Sequence, residues 1–388
     1  MNTKEKDSLY IAGSYGRFPL QIVKGKGSLA WDENGNEYID LGGGIAVNIF
    51  GFCDDEWTSA VKAQLDEFQH TSNLYYTQPC ADLAELLCTK TGMKKVFFSN
   101  SGAEANECAI KAARRYAFQK YGDESHSNII TLKNSFHGRT VTTLSATGQD
   151  SFHTEFGPFT PGFLYAEPND TEGMKKLIAE NDCAAVMMEM VLGEGGVLSL
   201  DDDFVKETAK AAHEKDMLVV IDEVQTGNGR TGSLYAYMDY GIEPDIVSTA
   251  KGLGGGLPIG ATLLGEKVQN IYTPGTHGST FGGNPVSCAG AISVISRIDQ
   301  KMLDGVKKRS QYIVKELTGI KGVMGVSGKG LMLGIASERP AKEVIAGCMK
   351  KGVLVISAKE KVRLLPALNI PMELLEKAIK ILKEELAK

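Results

Sequence analysis

The sequence predicts an α/β fold around a largely parallel sheet, and two observations carry that reading. Short apolar runs alternate with helical patterns over much of the chain, as they do where helices cover a parallel sheet. One run, Met217 to Ile221, is apolar at five consecutive positions, as a strand buried on both faces must be. The length, 388 residues, suggests two or three domains and leaves volume for a large core.

Taken in order, residues 1 to 45 read as short strands and turns, rich in glycine at Gly25, Gly27, Gly35 and Gly42 to Gly44. Strands are then expected at Lys95 to Ser99, Asn128 to Lys133, Ala184 to Glu189, Met217 to Ile221, Asp245 to Thr249 and Ala261 to Leu264. A helix is expected from Ala103. Small or apolar residues recur there at Ala105, Cys108, Ala109, Ala112 and Tyr116, one face of a 3.6-residue period. From about residue 300 the pattern becomes helix, strand, helix, strand, helix, with Leu331 to Ala336 and Val353 to Ser357 as the strands. A domain boundary is placed near residue 290.

Composition narrows the function. Hydrophobic residues make up 43% and charged residues 23%, ordinary for a soluble globular enzyme. A net charge of −6 without a basic block speaks against nucleic acid or anionic membrane as a partner. No stretch reaches the roughly 18 apolar residues of a membrane helix. Met1 to Tyr10 is polar and lacks the apolar segment of a secretory signal. The seven cysteines are scattered and never form C-x-x-C, and no H-x-x-x-H pair occurs. Neither a disulfide framework nor a metal site is expected, and the thiols fit a reduced cytoplasm.

Five constellations carry chemistry. Asp222 and Glu223 directly follow the buried run, and ligands of open α/β sheets bind beyond the carboxyl ends of strands. A carboxylate there would meet a ligand where an ion pair is strongest. Lys251 follows the Asp245 to Thr249 strand and precedes a glycine run, Gly252 to Gly256 broken only by Leu253. A glycine-rich backbone admits a planar ligand closely, and a desolvated lysine amine forms Schiff bases. Ser99-Asn100-Ser101-Gly102-Ala103 links a strand to a helix start, whose free N–H groups and dipole bind phosphate. Phe136-His137-Gly138-Arg139-Thr140 sets an aromatic ring beside an arginine, for stacking and carboxylate binding. His277 to Pro285 is a polar, glycine-rich run whose hydroxyls could bind phosphate.

Taken singly, each has a plainer reading: a surface acid, a solvated lysine, an N-cap by Ser101, a core phenylalanine with a surface arginine, a turn. Gly227-Asn228-Gly229-Arg230-Thr231-Gly232 matches the G-x-G-x-x-G of dinucleotide sites, but five residues separate it from the strand and no clear helix follows. Together the five supply what pyridoxal phosphate needs: an amine, an anion at the ring nitrogen, a phosphate cradle and a stacking group.

The chain resembles the class-III aminotransferases of pyridoxal-phosphate fold type I, most closely the acetylornithine/ornithine group, from about Tyr15 to the C-terminus. The resemblance rests on Asn100-Ser101-Gly102-Ala103-Glu104-Ala105-Asn106, the Phe136 to Thr140 run, Asp222-Glu223-Val224-Gln225-Thr226-Gly227, Lys251 at 29 residues beyond Asp222, and Ser279 to Pro285. It implies a large domain, residues 46–290, with a mostly parallel sheet. It also implies a smaller α+β domain joining residues 1–45 to 291–388. Lys251 would hold the cofactor as a Schiff base, and Asp222 would pair with its ring nitrogen. Ser101, Gly102, Ala103 and Val224 would surround it, Phe136 would stack on the ring and Gln225 would reach the ring hydroxyl. Thr280 would bind the phosphate in a neighbouring subunit, so the implied unit is a homodimer with shared sites. Arg139, Ser279 and Tyr15 would contact the amino donor. Arg363 would take the carboxylate of glutamate or 2-oxoglutarate, and Glu194 would be its acidic partner. The activity implied is transfer of the terminal amino group of N2-acetyl-L-ornithine to 2-oxoglutarate, as in arginine biosynthesis. Rivals are other ω-aminotransferases acting on ornithine, succinylornithine, 4-aminobutyrate or putrescine, an NAD-dependent oxidoreductase using the Gly227 loop, and a non-catalytic binding protein. Two stretches depart from the family: Gly51-Phe52-Cys53-Asp54-Asp55 stands for G-H-x-H-P, and Met190-Val191-Leu192-Gly193-Glu194 for the start of P-V-Q-G-E-G-G. The first is expected to alter local packing; the second lies beside Glu194.

Overall fold

The computed structural model describes residues 1–388. Its central sheet has seven strands, in the spatial order Lys95–Ser99, Gly260–Leu264, Ile246–Thr249, Leu218–Asp222, Cys183–Met188, Asn128–Leu132 and Phe163–Ala166. Gly260–Leu264 runs antiparallel to both its neighbours; every other pairing is parallel. The sheet is therefore α/β and mostly parallel, as the apolar runs required. All six residues of Cys183–Met188 and all five of Leu218–Asp222 are buried, because helices cover both faces.

The sheet directs one edge of the molecule toward chemistry. Ser99, Asp222 and Thr249 close their strands at the same carboxyl edge, and the Asn134 to His137 loop leaves Leu132 there. The helix Gly102–Tyr121 starts at that edge, with Ala105, Cys108, Ala109 and Ala112 buried and Tyr116 half-buried.

Two smaller sheets hold the chain ends. Ile22–Lys26, Leu29–Asp32 and Glu37–Asp40 form a meander that Val353–Leu354 extends by pairing parallel with Glu37–Asp40. Val323–Lys329, Met332–Ser337, Lys361–Leu364 and Ile356–Ala358 form the other. The expected strand Val353 to Ser357 is thus two strands, broken at Val355, and its halves serve different sheets. A single core of 62 residues includes Val219 and Ile221 of the central sheet and Leu364, Leu375 and Ile379 near the C-terminus. The strand bearing Arg363 therefore shares one continuous core with the central sheet.

One helix escaped the sequence pattern. Thr3–Tyr10 lies where only strands and turns were expected; Asn2 and Glu5 cap it reciprocally, and none of its residues is buried. It has no apolar stripe to read. At the first departure, Phe52 exchanges backbone hydrogen bonds with Gly27, both at 2.7 Å, and its ring fills the space a Cβ at Gly25 would need. No helix is long and apolar enough to cross a membrane.

Candidate active site

Asp222 is the centre of a buried network. Its carboxylate, 3% exposed, accepts from Asn106 Nδ2 at 2.7 Å, lies 2.8 Å from His137 Nδ1, and accepts from Val224 N–H at 2.9 Å. Asn106 also donates to His137 O at 2.7 Å and accepts from the Ser248 hydroxyl at 2.5 Å. Burial opposes a proton on His137, but the hydrogen bond and charge of Asp222 outweigh it and raise the imidazole above its ordinary value. Glu223, the next residue, turns into the core instead. It accepts from Tyr237 N–H at 2.8 Å and from the Thr226 hydroxyl, and burial pushes it up to about 7.

Lys251 follows Ala250 with φ at +46°, a left-handed conformation that costs an L-residue on the order of 1–3 kcal/mol. Its amine makes no hydrogen bond within the chain. Burial lowers its pKa, with Glu194 opposing and Arg363 reinforcing the shift. Such an amine is neutral over more of the pH range and more nucleophilic than a solvated one.

Ser101 caps the helix Gly102–Tyr121 by accepting from Glu104 N–H at 3.2 Å. The first intrahelical bond is Ala105 N–H to Ser101 O, so the N–H groups of Gly102 and Ala103 remain outward-facing donors. Gly102 is needed for close approach: a Cβ there would stand 2.5 Å from Val224 Cγ1. Glu104 braces the turn by accepting from Asn100 N–H, Asn100 Nδ2 and the Ser101 hydroxyl, each at 2.9 Å.

On the other side, Glu194 Oε1 pairs with Arg363 at 2.8 Å, and Arg363 is 3% exposed. Burial alone would raise the Glu194 carboxyl, but Arg363 prevails and holds it below its ordinary value. Gln225 bridges the pair, accepting from Arg363 at 3.2 Å and donating to Glu194 at 3.4 Å. Arg139 is exposed and sits 4.2 Å above the Phe152 ring and 5.5 Å from the Phe136 ring. Phe136 is anchored through its N–H to Glu189 at 2.8 Å.

The structure gathers Asp222, Lys251, Glu194, Arg363 and Gln225 into mutual contact or direct electrostatic reach. Ser279 links its own loop to the turn before the helix Gly102–Tyr121: its hydroxyl accepts from Gly282 N–H at 2.9 Å and from Asn100 Nδ2 at 3.2 Å. Thr280 is exposed, and Tyr15 is 73% exposed beside Arg17; no hydrogen bond ties either to the other site residues. Glu189 and Phe152 were not singled out. Glu189 carried a readable signal, an acid at the end of an apolar run, whereas Phe152 stands among polar residues with no periodic context. The Gly227 loop packs rather than cradles: a Cβ at Gly229 would lie 2.8 Å from Leu368 Cδ1, and Arg230 is wholly buried, donating to Leu331 O at 3.1 Å.

A half-buried amine without a hydrogen-bond partner, a buried carboxylate at a strand end, and free N–H donors beside a glycine whose Cβ would press on Val224 fit a planar ring bearing a phosphate. The fold and this set define a pyridoxal-phosphate enzyme. Residues 10–386 match the family model of class-III aminotransferases, and the chain belongs to that family, whose cofactor is pyridoxal 5′-phosphate. The chain is 48% identical to an acetylornithine aminotransferase of Haemophilus ducreyi, over 99% of this chain and 98% of that protein. It is 42% identical to a succinylornithine transaminase of Citrobacter koseri, over 96% and 93%. Among solved structures, an ornithine aminotransferase of Toxoplasma gondii superposes with a TM-score of 0.94 at 30% identity, covering 100% of this chain and 95% of that one.

Proposed function

We propose that this aminotransferase moves the terminal amino group of N2-acetyl-L-ornithine to 2-oxoglutarate, giving N-acetylglutamate 5-semialdehyde and glutamate, a step of arginine biosynthesis in the cytoplasm. The observation that carries this reading is the division of the site's cations. Arg363 is neutralised by Glu194 close to Lys251, while Arg139 stands exposed with no acidic partner. Acetylornithine reacts through its terminal amine, so an alkyl chain lies near the reacting carbon and the α-carboxylate lies far away. A bare arginine beside that chain would be costly, and Glu194 removes the cost by pairing with it. Arg139 takes the remote carboxylate. Glutamate reacts through its α-amine and brings a carboxylate close in; Glu194 then swings aside and Arg363 binds that carboxylate through two parallel hydrogen bonds.

The cofactor, when bound, supplies the electron sink for the substrate carbon. Lys251 would hold it covalently, and the Lys251 amine would carry a proton from and to the substrate carbon, a role typically worth ~10²–10⁴-fold. Asp222, backed by His137 and Asn106, keeps the ring nitrogen protonated. Gly102 and Ala103 would donate N–H groups to the phosphate beside Ser101, and Val224 and Phe136 would hold the ring. Gln225 reaches the ring hydroxyl, and Ser279 and Tyr15 border the donor. Thr280 from a second copy would complete the phosphate site, which would make the active unit a homodimer. Exposed Phe281 within the Ser279–Gly282 loop, and exposed Leu74 and Tyr75 next to Asn73, support that reading; Asn73 Nδ2 ties the loop down by donating to Ser279 O at 3.0 Å. In this reading residues 1–45 and 291–388 make the smaller domain, and 46–290 the larger.

The test is a panel of donors with 2-oxoglutarate: acetylornithine, succinylornithine, ornithine, 4-aminobutyrate and putrescine. Acetylornithine should give the highest kcat/KM. Succinylornithine is the second reading, because the relative that bears its name is 42% identical. Arg363→Ala should slow the glutamate half-reaction on the order of 10²-fold, the loss of one or two charge-assisted bonds, and spare the acetylornithine half-reaction. Equal slowing of both would remove the division of labour.

A further inference from the structure

Arg139 makes no ion pair and no hydrogen bond within the chain, so all its donors are free for a ligand. A lone exposed arginine samples many rotamers, and ordering it on binding weakens the complex. Two aromatic rings are what orders it here: Phe152 at 4.2 Å and Phe136 at 5.5 Å from the guanidinium carbon. Phe152 is the nearer, and it is fastened on both flanks. It closes a single 3₁₀ turn, Asp150–Phe152, with its N–H donating to Gln149 O at 3.0 Å. Gln149 Nε2 donates to Ser135 O at 2.9 Å, next to Phe136. On the other flank His153 Nε2 lies 2.9 Å from Leu144 O, in the helix Val141–Ala146, and the His153 ring packs against Phe159 and Tyr165. Phe136 and Phe152 meet nearly edge to face, 6.0 Å apart. A ring under the guanidinium face leaves its N–H edge open to grip a carboxylate at two points.

We propose that Phe152 is a positioning residue that determines donor choice: its ring holds the Arg139 guanidinium flat, so that amines carrying a remote carboxylate bind in one pose. The proposal rests on the reading of Arg139 as the arginine for that carboxylate. Phe136 does not substitute for Phe152, because its own face is committed to the cofactor in the same reading.

The experiment compares Phe152→Leu, Phe152→Tyr and Arg139→Ala with the parent holoenzyme. Each is assayed in the donor half-reaction with acetylornithine and with putrescine, an amine of similar reach without a carboxylate. Each is also titrated with N2-acetyl-L-norvaline, which keeps the remote carboxylate but has no terminal amine to react. Phe152→Leu should raise the acetylornithine KM and the norvaline dissociation constant roughly three- to tenfold, the size of a partly desolvated cation–π contact. The kcat with acetylornithine and the putrescine reaction should hold, and Phe152→Tyr should restore tight binding. A Phe152→Leu variant that matches the parent in both, while Arg139→Ala weakens both, overturns the proposal and leaves the proposed function standing. Slowing of acetylornithine and putrescine alike, or failure of Phe152→Tyr to restore binding, also overturns it, since that is loss of structure and not of positioning. If Arg139→Ala changes neither constant, the carboxylate reading of Arg139 falls and the proposal with it.

Discussion

Asp222 illustrates how much a single residue discloses before and after folding. Its position was legible, because an acid closing a five-residue apolar run must emerge at the carboxyl edge of a buried strand. Its three donors were not: Asn106 and His137 stand 116 and 85 residues away, and no local pattern announces that they converge. The donors sharpen what a substitution must do. Asn106, His137 and Val224 N–H all present hydrogens to the carboxylate, and an amide offers a single acceptor oxygen. Asp222→Asn therefore strands at least one buried donor besides removing the charge. Stability should fall by about 1–3 kcal/mol from that stranding. The kcat should fall further than cofactor affinity does, since the ring nitrogen loses its counter-charge. Denaturant unfolding of the cofactor-free variant, alongside kcat and a cofactor titration, separates the two effects; an unchanged kcat would count decisively against the assigned role. Glu189 teaches the complementary lesson: it had the same readable position, yet its use, anchoring Phe136 N–H, depends on a loop that only the folded chain brings near.

At the scale of elements, what was legible is what is buried on two faces. Six of the central strands read out to within a residue or two because apolar residues dominate them and almost every position is buried. Phe163–Ala166, Val323–Lys329 and Lys361–Leu364 were not singled out. The first two are partly solvated edge strands, and the last alternates Lys, Val, Arg and Leu because one face carries the site. The helix start at Gly102 belongs to both worlds. Its capping residue was readable, but the brace behind it was not: Glu104 gathers three donors from Asn100 and Ser101, and Asn100 reaches on to Ser279. That brace fixes the two N–H groups assigned to the phosphate. Glu104→Ala should loosen cofactor binding roughly ten- to a hundredfold, as expected when more than one hydrogen bond to a charged group is lost. Glu104→Gln, which keeps an acceptor, should recover much of it. Equilibrium titration of the cofactor-free protein reads this directly, and a Glu104→Ala variant with parental affinity would show that the turn holds its shape unaided.

At the scale of the whole molecule, the proposed homodimer accounts for one expected site residue that stands apart. Thr280 is exposed and unengaged, and the loop that bears it is tied inward by Asn73 and Asn100 while its outer surface carries Phe281 and adjoins Leu74 and Tyr75. In the proposed homodimer those apolar side chains and that hydroxyl would face a second copy, and a two-fold axis would apply the same exchange to both sites. Complementation tests this. Lys251→Ala chains retain Thr280, and Thr280→Val chains retain Lys251. In a mixed dimer the site on the Thr280→Val chain combines its own Lys251 with the partner's Thr280, while the other site lacks both. Random re-pairing of equal amounts makes half the dimers mixed, each with one whole site, so activity should rise toward roughly a quarter of the parental level. Differently tagged chains verify that exchange has occurred. If tagged mixed dimers form and activity stays at the sum of the two inactive parents, Thr280 serves no neighbouring phosphate, and the apolar surface beside it must be explained by assembly alone.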